Sequence, residues 1–471
     1  MHSVIIPVLY LLSAVLFVLG LKGLTRIRSA RRGNAIAALA MLIAIVTTLL
    51  DMGLVDYKWI IGGFVIGGLI GGIAAVRVQM TAMPEMVALF NGFGGSASAL
   101  VALSILWLEV IEPGGVVTAS SLMGADVALT TFFSILIGTV TFTGSLVAFL
   151  KLSGRIGGSP TVLPGRHVIN ALLFAVTAAA GLSMAFFTLG AQPTMIAAVV
   201  VVGASLILGV LMVIPIGGAD MPVVISLLNS LSGIAAAATG FVLQSNVLII
   251  SGALVGASGL ILTQIMCVAM NRTLANVLFS GFGGEATADD AREYQNVRSG
   301  GGEEAAMVLE TAESVIIVPG YGLAVAQAQH TAREIGELLQ SRGATVRYAI
   351  HPVAGRMPGH MNVLLADADV PYEQLVEMDQ INPDFKTTDA VIIVGANDVV
   401  NPAAEDDPNS PIAGMPVLKV WEAGSVLMIK RSLSPGFAGI RNALFEAPNN
   451  MMVFGDAKKI LQEIVAELKE L

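Results

Sequence analysis

Charge is scarce in this chain, and cysteine scarcer still. Only 13% of its 471 residues are Asp, Glu, Lys or Arg, about half the share of an ordinary soluble domain. That excludes a wholly water-soluble globular protein. The lone cysteine, Cys267, excludes an internal disulfide and suits a protein whose aqueous part faces a reducing compartment. Its plain reading is a small buried apolar residue. Five scattered histidines and one cysteine offer no metal-ligand spacing. Aromatics are few as well, at 6%. What the chain has is aliphatic and small: 55% of residues are hydrophobic, 51 are glycine, and the mean hydropathy is +0.80.

The few charges are unevenly placed. Residues 1–272 hold 11 Lys and Arg against 7 Asp and Glu, a net +4. Residues 273–471 hold 14 against 27, a net −13. Two parts follow: a weakly basic membrane part and an acidic aqueous part. Phosphate backbones would be repelled by the acidic part, so nucleic acid is not an expected partner.

Nine apolar runs are long enough to cross a bilayer: 4–24, 34–51, 57–77, 83–108, 124–150, 166–187, 193–215, 221–242 and 247–270. The first lacks a basic leader and a small-residue cleavage site, so it reads as a retained helix. Lys22, Arg26, Arg28, Arg31 and Arg32 follow run one, Arg77 closes run three, and Lys151, Arg155 and Arg166 follow run five. Basic loops thus alternate with poorer ones, which puts the N-terminus outside and the C-terminal part in the cytoplasm. Stretches such as GGFVIGGLIGG (62–72) and GALVGASG (252–259) let helix backbones approach closely in lipid.

The expected organisation is a membrane part over 1–271, a Gly-rich acidic linker over 272–313 with one short helix, and an α/β domain over 314–471. In the last part SVIIV (314–318), ATVRYAI (344–350), DAVIIVGA (389–396), VLKV (417–420) and SVLMIK (425–430) read as strands. Residues 324–342, 372–379 and 456–471 read as helices. Short apolar strands alternating with helices mean a doubly wound parallel sheet, Rossmann-like in plan.

Gly320-Tyr321-Gly322 follows the first of these strands and opens a helix. Glycines there permit a tight turn and close approach of backbone amides to a pyrophosphate. Val325 stands where the full fingerprint wants Gly or Ala, and a plain strand–turn–helix remains the alternative. The second strand ends at His351, where an NAD-preferring enzyme carries an acid. Its absence favours NADP, whose 2′-phosphate needs cations. Lys430 and Arg431 at a strand end would supply them, with a solvated strand end as the alternative. The loop 395–416 is long, as binding loops often are.

Longer stretches carry a resemblance. GYGLAVAQAQH, HPVAGRMPGHMNVLLADADVPY, GANDVVNPAAEDDPNSPIAGMPVLKVW and KRSLSPGFAG resemble the NADP(H)-binding domain of proton-translocating nicotinamide nucleotide transhydrogenases. GGADMPVVISLLNSLSGIAAAATGF and GALVGASGLILTQIMCVAMNR resemble their membrane domain. The resemblance spans essentially the whole chain and points to the separate β subunit of a bacterial enzyme in the inner membrane. It implies hydride transfer between NAD(H), held on an α subunit, and NADP(H), held here, coupled to proton translocation in a dimer of αβ units. It also implies that NADP(H) lies in reversed orientation across the sheet, which eases the departure at Val325.

Carried over by position, Gly320, Tyr321 and Gly322 lie against the nucleotide. Val353, Ala354, Gly355, Arg356, Met357 and Pro358 line the pyrophosphate and nicotinamide side. Gly395, Ala396, Asn397, Asp398 and Val399 form a wall, and Gly414 and Met415 touch the cofactor. Lys430 and Arg431 hold the 2′-phosphate. Ser432, Leu433, Ser434, Pro435, Gly436 and Phe437 form a lid that Asp456 and Ala457 close. Phe437 stands where many members have Tyr.

Polar groups in membrane helices invite functional suspicion. Glu85, Asn91, Asp126, Asp220, Asn229 and Ser230 are the candidates. The resemblance assigns coupling to Asp398, Asn229 and Asn91, and Asp220, at the tight turn between runs seven and eight, reads as a link from channel to aqueous domain. Asn91 stands where many members have histidine, and asparagine does not titrate, so a partner's histidine or a water chain must carry the proton. Two other classes compete: a transporter with a nucleotide-sensing domain, and a membrane anchor for a soluble dehydrogenase. The first needs paired broken helices, and the second needs one or two spans rather than nine.

Overall fold

The computed structural model describes all residues except 1, 25–26, 52–56, 113–122, 158–160, 162, 188–190, 280–293, 358, 411 and 437. The chain divides into two compact units. The first comprises residues 1–215 and 224–262, the second 216–223 and 263–471.

Nine helices among the described residues are long and apolar enough to cross a membrane. They are α1 (His2–Leu24), α2 (Ile27–Asp51), α3 (Lys58–Arg77), α4 (Met83–Leu106), α5 (Ala125–Leu152), α6 (Arg166–Phe186), α7 (Ala191–Val213), α8 (Met221–Val242) and α9 (Asn246–Ala269). The nine expected runs therefore stand, with ends shifted by a few residues. α4 runs on through a π-helical turn, Trp107–Ile111, in which the Glu112 amide donates to the Trp107 carbonyl at 2.8 Å.

Lipid offers no hydrogen bonds, so hydroxyls turn back on their own helices. Thr47 donates to Ile43, Thr131 to Val127, Thr141 to Ile137 and Thr177 to Leu173, each to the carbonyl four residues earlier at 2.7 Å. Small residues set the contacts. A methyl group on Gly95 would lie 2.7 Å from the Gly138 carbonyl, joining α4 to α5. One on Gly259 would lie 2.8 Å from Ser230, joining α9 to α8. α3 is different: none of its residues is buried, and its six glycines have nothing within 4 Å.

The second unit holds a seven-stranded sheet: β1 (Ser299–Gly300), β2 (Ser314–Pro319), β3 (Thr345–Ile350), β4 (Leu375–Glu377), β5 (Ala390–Val394), β6 (Ser425–Lys430) and β7 (Asn450–Phe454). All pairings are parallel, in the order β1-β7-β6-β5-β2-β3-β4. Ile316, Val318, Val391, Ile393, Val426 and Met428 are fully buried and seed the core. Continuous apolar runs without alternation are the mark of a sheet covered on both faces.

Four local expectations are corrected. Residues 417–420 are not a strand; the chain there is irregular and enters a short 3-10 turn at Val420. Residues 372–379 hold a 3-10 turn and strand β4 before the short helix Met378–Ile381. The helix at 324–342 is two helices, Tyr321–Val325 and Gln329–Ser341, parted at Gln327 with φ +50°. Within the expected linker, residues 299–310 supply edge strand β1 and the helix Gly302–Glu310, whose Leu309 is fully buried. β7 was not expected from the sequence at all.

Candidate functional site

From β2 the chain passes outward to β3 and β4, then returns to the other side of β2 to make β5. The crevice beyond the carboxyl ends of β2 and β5 is therefore a topological switch point, where open parallel sheets bind ligands. A cavity of about 500 Å³ lies there. Its wall is drawn from the ends of five strands: 320–322 after β2, 353–355 after β3, 395–399 after β5, 430–432 and 434–436 at and after β6, and 455 and 457 after β7.

The loops after β2 and β5 interlock backbone to backbone. The Gly320 amide donates to Val394 and the Gly322 amide to Gly395, both at 2.9 Å. A methyl group on Gly322 would lie 2.6 Å from the Gly395 Cα, and Gly395 itself has φ +66°. Glycine at these positions is thus required by the crossing of two chain segments.

Two buried histidines brace the loop after β3. His351 Nδ1 accepts from the Val353 amide at 3.2 Å, and its Nε2 donates to the Pro416 carbonyl at 2.8 Å. Burial lowers its pKa to about 4 against the weaker pull of that carbonyl, so the ring is neutral. His360 Nδ1 accepts from the Arg356 amide at 3.0 Å. Burial first, then Arg356, lowers its pKa to about 4. His351 is absent from the cavity wall.

Asp398 and Lys430 face the cavity. The Ala438 amide donates to Asp398 Oδ2 at 3.0 Å. Lys430 donates to the Ser434 carbonyl and its Nζ lies 4.8 Å from the centre of the Phe445 ring. Burial lowers the Lys430 pKa to about 8, opposed by Asp398. Arg431 is exposed and makes no ion pair among the described residues. The Asn397 Nδ2 is buried on the wall with no hydrogen-bond partner among the described residues. Glycine cradles, an orphaned amide donor and adjacent cations are a donor set suited to a phosphorylated ligand.

Most expected residues meet at this cavity: Gly320, Tyr321, Gly322, Val353, Ala354, Gly355, Gly395 to Val399, Met415, Lys430, Arg431, Ser432, Ser434, Pro435, Gly436 and Ala457. Five do not line it. The Arg356 guanidinium lies 4.3 Å from the centre of the Tyr321 ring. Met357 is buried, and Leu433 packs on the sheet core. Gly414 abuts Asn271. Asp456 caps the final helix, Ala457–Glu470, accepting from the Lys458 and Lys459 amides. Pro358 and Phe437 lie outside the described residues. Met270, Ala326, Ile412, Ile429, Ala438 and Gly455 line the cavity without having been expected.

A family model for the NAD(P) transhydrogenase beta subunit matches residues 6–467. Two relatives from Rhodospirillum rubrum, one of them from a named strain, are both called NAD(P) transhydrogenase subunit beta. Each is 49% identical over 462 residues, 97% of this chain and 97% of theirs. This chain belongs to the NAD(P) transhydrogenase beta subunit family.

Members of such a family work on nicotinamide nucleotides, and a beta subunit has an alpha partner by name. The remaining coupling candidates of this beta-family chain lie in both units. In the first, the Asn91 amide nitrogen on α4 donates to the Ile225 carbonyl at 3.3 Å, and Asn229 on α8 is half-buried. In the second, Asp220 is fully buried, with Arg272 at 3.9 Å. Burial raises the Asp220 pKa to about 6 despite that arginine.

Proposed function

We propose that this chain is the NADP(H)-binding and proton-conducting β subunit of a transhydrogenase. Hydride passes between NAD(H) on the α subunit and NADP(H) held at the switch-point cavity, and the transfer is coupled to proton translocation. The observation that carries this is the cavity itself: crossed glycine loops on one side, and Lys430 with Arg431 on the other.

The bound dinucleotide supplies the hydride chemistry; the chain supplies binding, placement and coupling. The Tyr321, Ala396 and Asn397 amides and Asn397 Nδ2 hold phosphate oxygens. Lys430 and Arg431 hold the 2′-phosphate, the first as a point charge and the second as a fork. Asp398 accepts from the Ala438 amide, so its charge state bears on how firmly Ala438 is held. Asn91, Asn229 and Asp220 belong to the proton-conducting machinery, and the proton is carried by a partner's histidine or by a water chain.

The working assembly is a dimer of αβ units in the bilayer of a bacterial inner membrane. The N-terminus lies outside and the sheet-bearing unit in the cytoplasm, as the basic loops suggest. Calorimetric titration of the purified chain with NADPH and with NADH tests the reading. Tight NADPH binding with little for NADH supports it. Equal binding removes the 2′-phosphate assignment, and no binding of either returns the transporter alternative.

A further inference from the structure

α9 ends in a left-handed cap. The Arg272 amide donates to the Cys267 carbonyl at 2.8 Å and the Asn271 amide to Val268 at 2.9 Å. This is the paired pattern of a Schellman ending, with Asn271 in the left-handed position at φ +48°. Asparagine, like glycine, tolerates that conformation. Unlike glycine, it carries a side chain out of the turn.

That side chain reaches the long loop between β5 and β6. Asn271 Nδ2 donates to the Ala413 carbonyl. Gly414, at φ +73°, accepts the close approach; a methyl group there would lie 2.7 Å from Asn271 Nδ2. The loop is fixed behind this point, because the Gly414 amide donates to Ala404 at 2.7 Å and the Met415 amide to Ile412 at 2.9 Å. The chain neighbours on both sides of the hydrogen bond line the cavity: Met270 before Asn271, and Ile412 and Met415 around Ala413-Gly414.

We propose that Asn271 is a positioning residue for the cavity: its amide pins the Ala413–Gly414 peptide to the end of α9 and so holds Ile412 and Met415 in the wall. Any shift in the last turn of α9 then reaches the nucleotide through one hydrogen bond. Asn271 touches no substrate and takes no part in hydride transfer. The proposal deepens the NADP(H) reading above and rests on it for the identity of the ligand.

The test uses the full chain assembled with its α subunit in liposomes, as wild type, Asn271→Gly and Asn271→Asp. Glycine keeps the left-handed turn and removes the amide. Aspartate keeps the shape and replaces the donor with an acceptor facing the Ala413 carbonyl. NADPH release is followed by stopped-flow fluorescence. Loss of one hydrogen bond should speed release roughly three- to tenfold in the glycine variant, and more in the aspartate variant. KM for NADH, held by the partner, should not move. Release within twofold of wild type in both variants overturns the proposal.

Hydrogen exchange without nucleotide separates this failure from failure of the ligand reading. If wild type binds no NADPH, that reading falls. Faster exchange of the Gly414 and Met415 amides in the variants then still upholds the pin, and unchanged exchange removes it.

Discussion

The sheet and helix α3 treat apolar side chains by opposite rules. In the sheet unit Ile316, Val391 and Ile393 are 0% exposed. On α3, Phe64 is 72%, Ile70 67% and Val76 87% exposed. The residue types are alike, but the solvent is not. Water drives aliphatic side chains into a core, whereas lipid is as apolar as leucine, so helices in it associate through small residues and backbone approach. Apolar patches, in a soluble protein a warning, are on α3 the expected boundary with lipid or a partner's helix.

The contrast breaks most sharply by substituting one charge. Ile316→Asp should unfold the sheet unit, at a cost of about 4 kcal/mol or more, read as lost NADPH binding and a lost thermal transition. The milder Ile316→Ala should cost about 3 kcal/mol, and Ile66→Ala on α3 about 0.5 kcal/mol or less. Equal costs would sink the comparison.

Next in size is the cavity cation. Lys430→Met should weaken NADPH binding about 10- to 100-fold and leave NADH binding unchanged. The pH dependence sharpens this. The folded Lys430 pKa lies near 8, below the ordinary 10.5, so the ammonium is lost as pH rises through 8. Without nucleotide, stability should rise between pH 8 and 10.5, because the unfolded chain holds the proton longer. NADPH affinity should fall over that range, and Lys430→Arg should flatten the fall.

Overpacking distinguishes glycines that touch from those that do not. Gly95→Val, set against the Gly138 carbonyl, should destabilise the α4–α5 contact by about 1–3 kcal/mol. Gly67→Ala on α3, with nothing within 4 Å, should change the isolated chain by about 0.5 kcal/mol or less. A large effect of Gly67→Ala only in the assembled αβ complex would place a partner helix on α3.

The smallest effect is a change of profile. Asp220 has its pKa raised from 3.8 to about 6, so burying its charge costs stability, and that cost appears as pH rises from about 4 through 6. Asp220→Asn should remove this slope from thermal melts. A slope that persists would mean another group titrates there.

Much of this architecture can be read from composition and pattern. Nine runs of about 20 apolar residues admit little besides spanning helices, and SVIIV and DAVIIVGA bounded by turns admit little besides buried strands. Short elements escaped because their neighbours decide them. Asn450–Phe454 is an ordinary five-residue run that becomes β7 only because β6 and β1 flank it. Val417–Val420 has strand composition, yet Leu418 and Val420 are buried in the same core without joining a ladder.

Sequence by itself settled the division into a membrane part and a sheet part, the positions of the spans, and the glycine turn that opens the site. Each depends on local chemistry: hydrophobic length, strand composition, and the backbone freedom of glycine. Only the tertiary structure decided which strand ends share one cavity, that His351 braces the loop after β3, and that Asn271 meets Ala413 across 142 positions of chain. Those outcomes depend on strand order and on the path of the chain between strands, and no short window of sequence contains either.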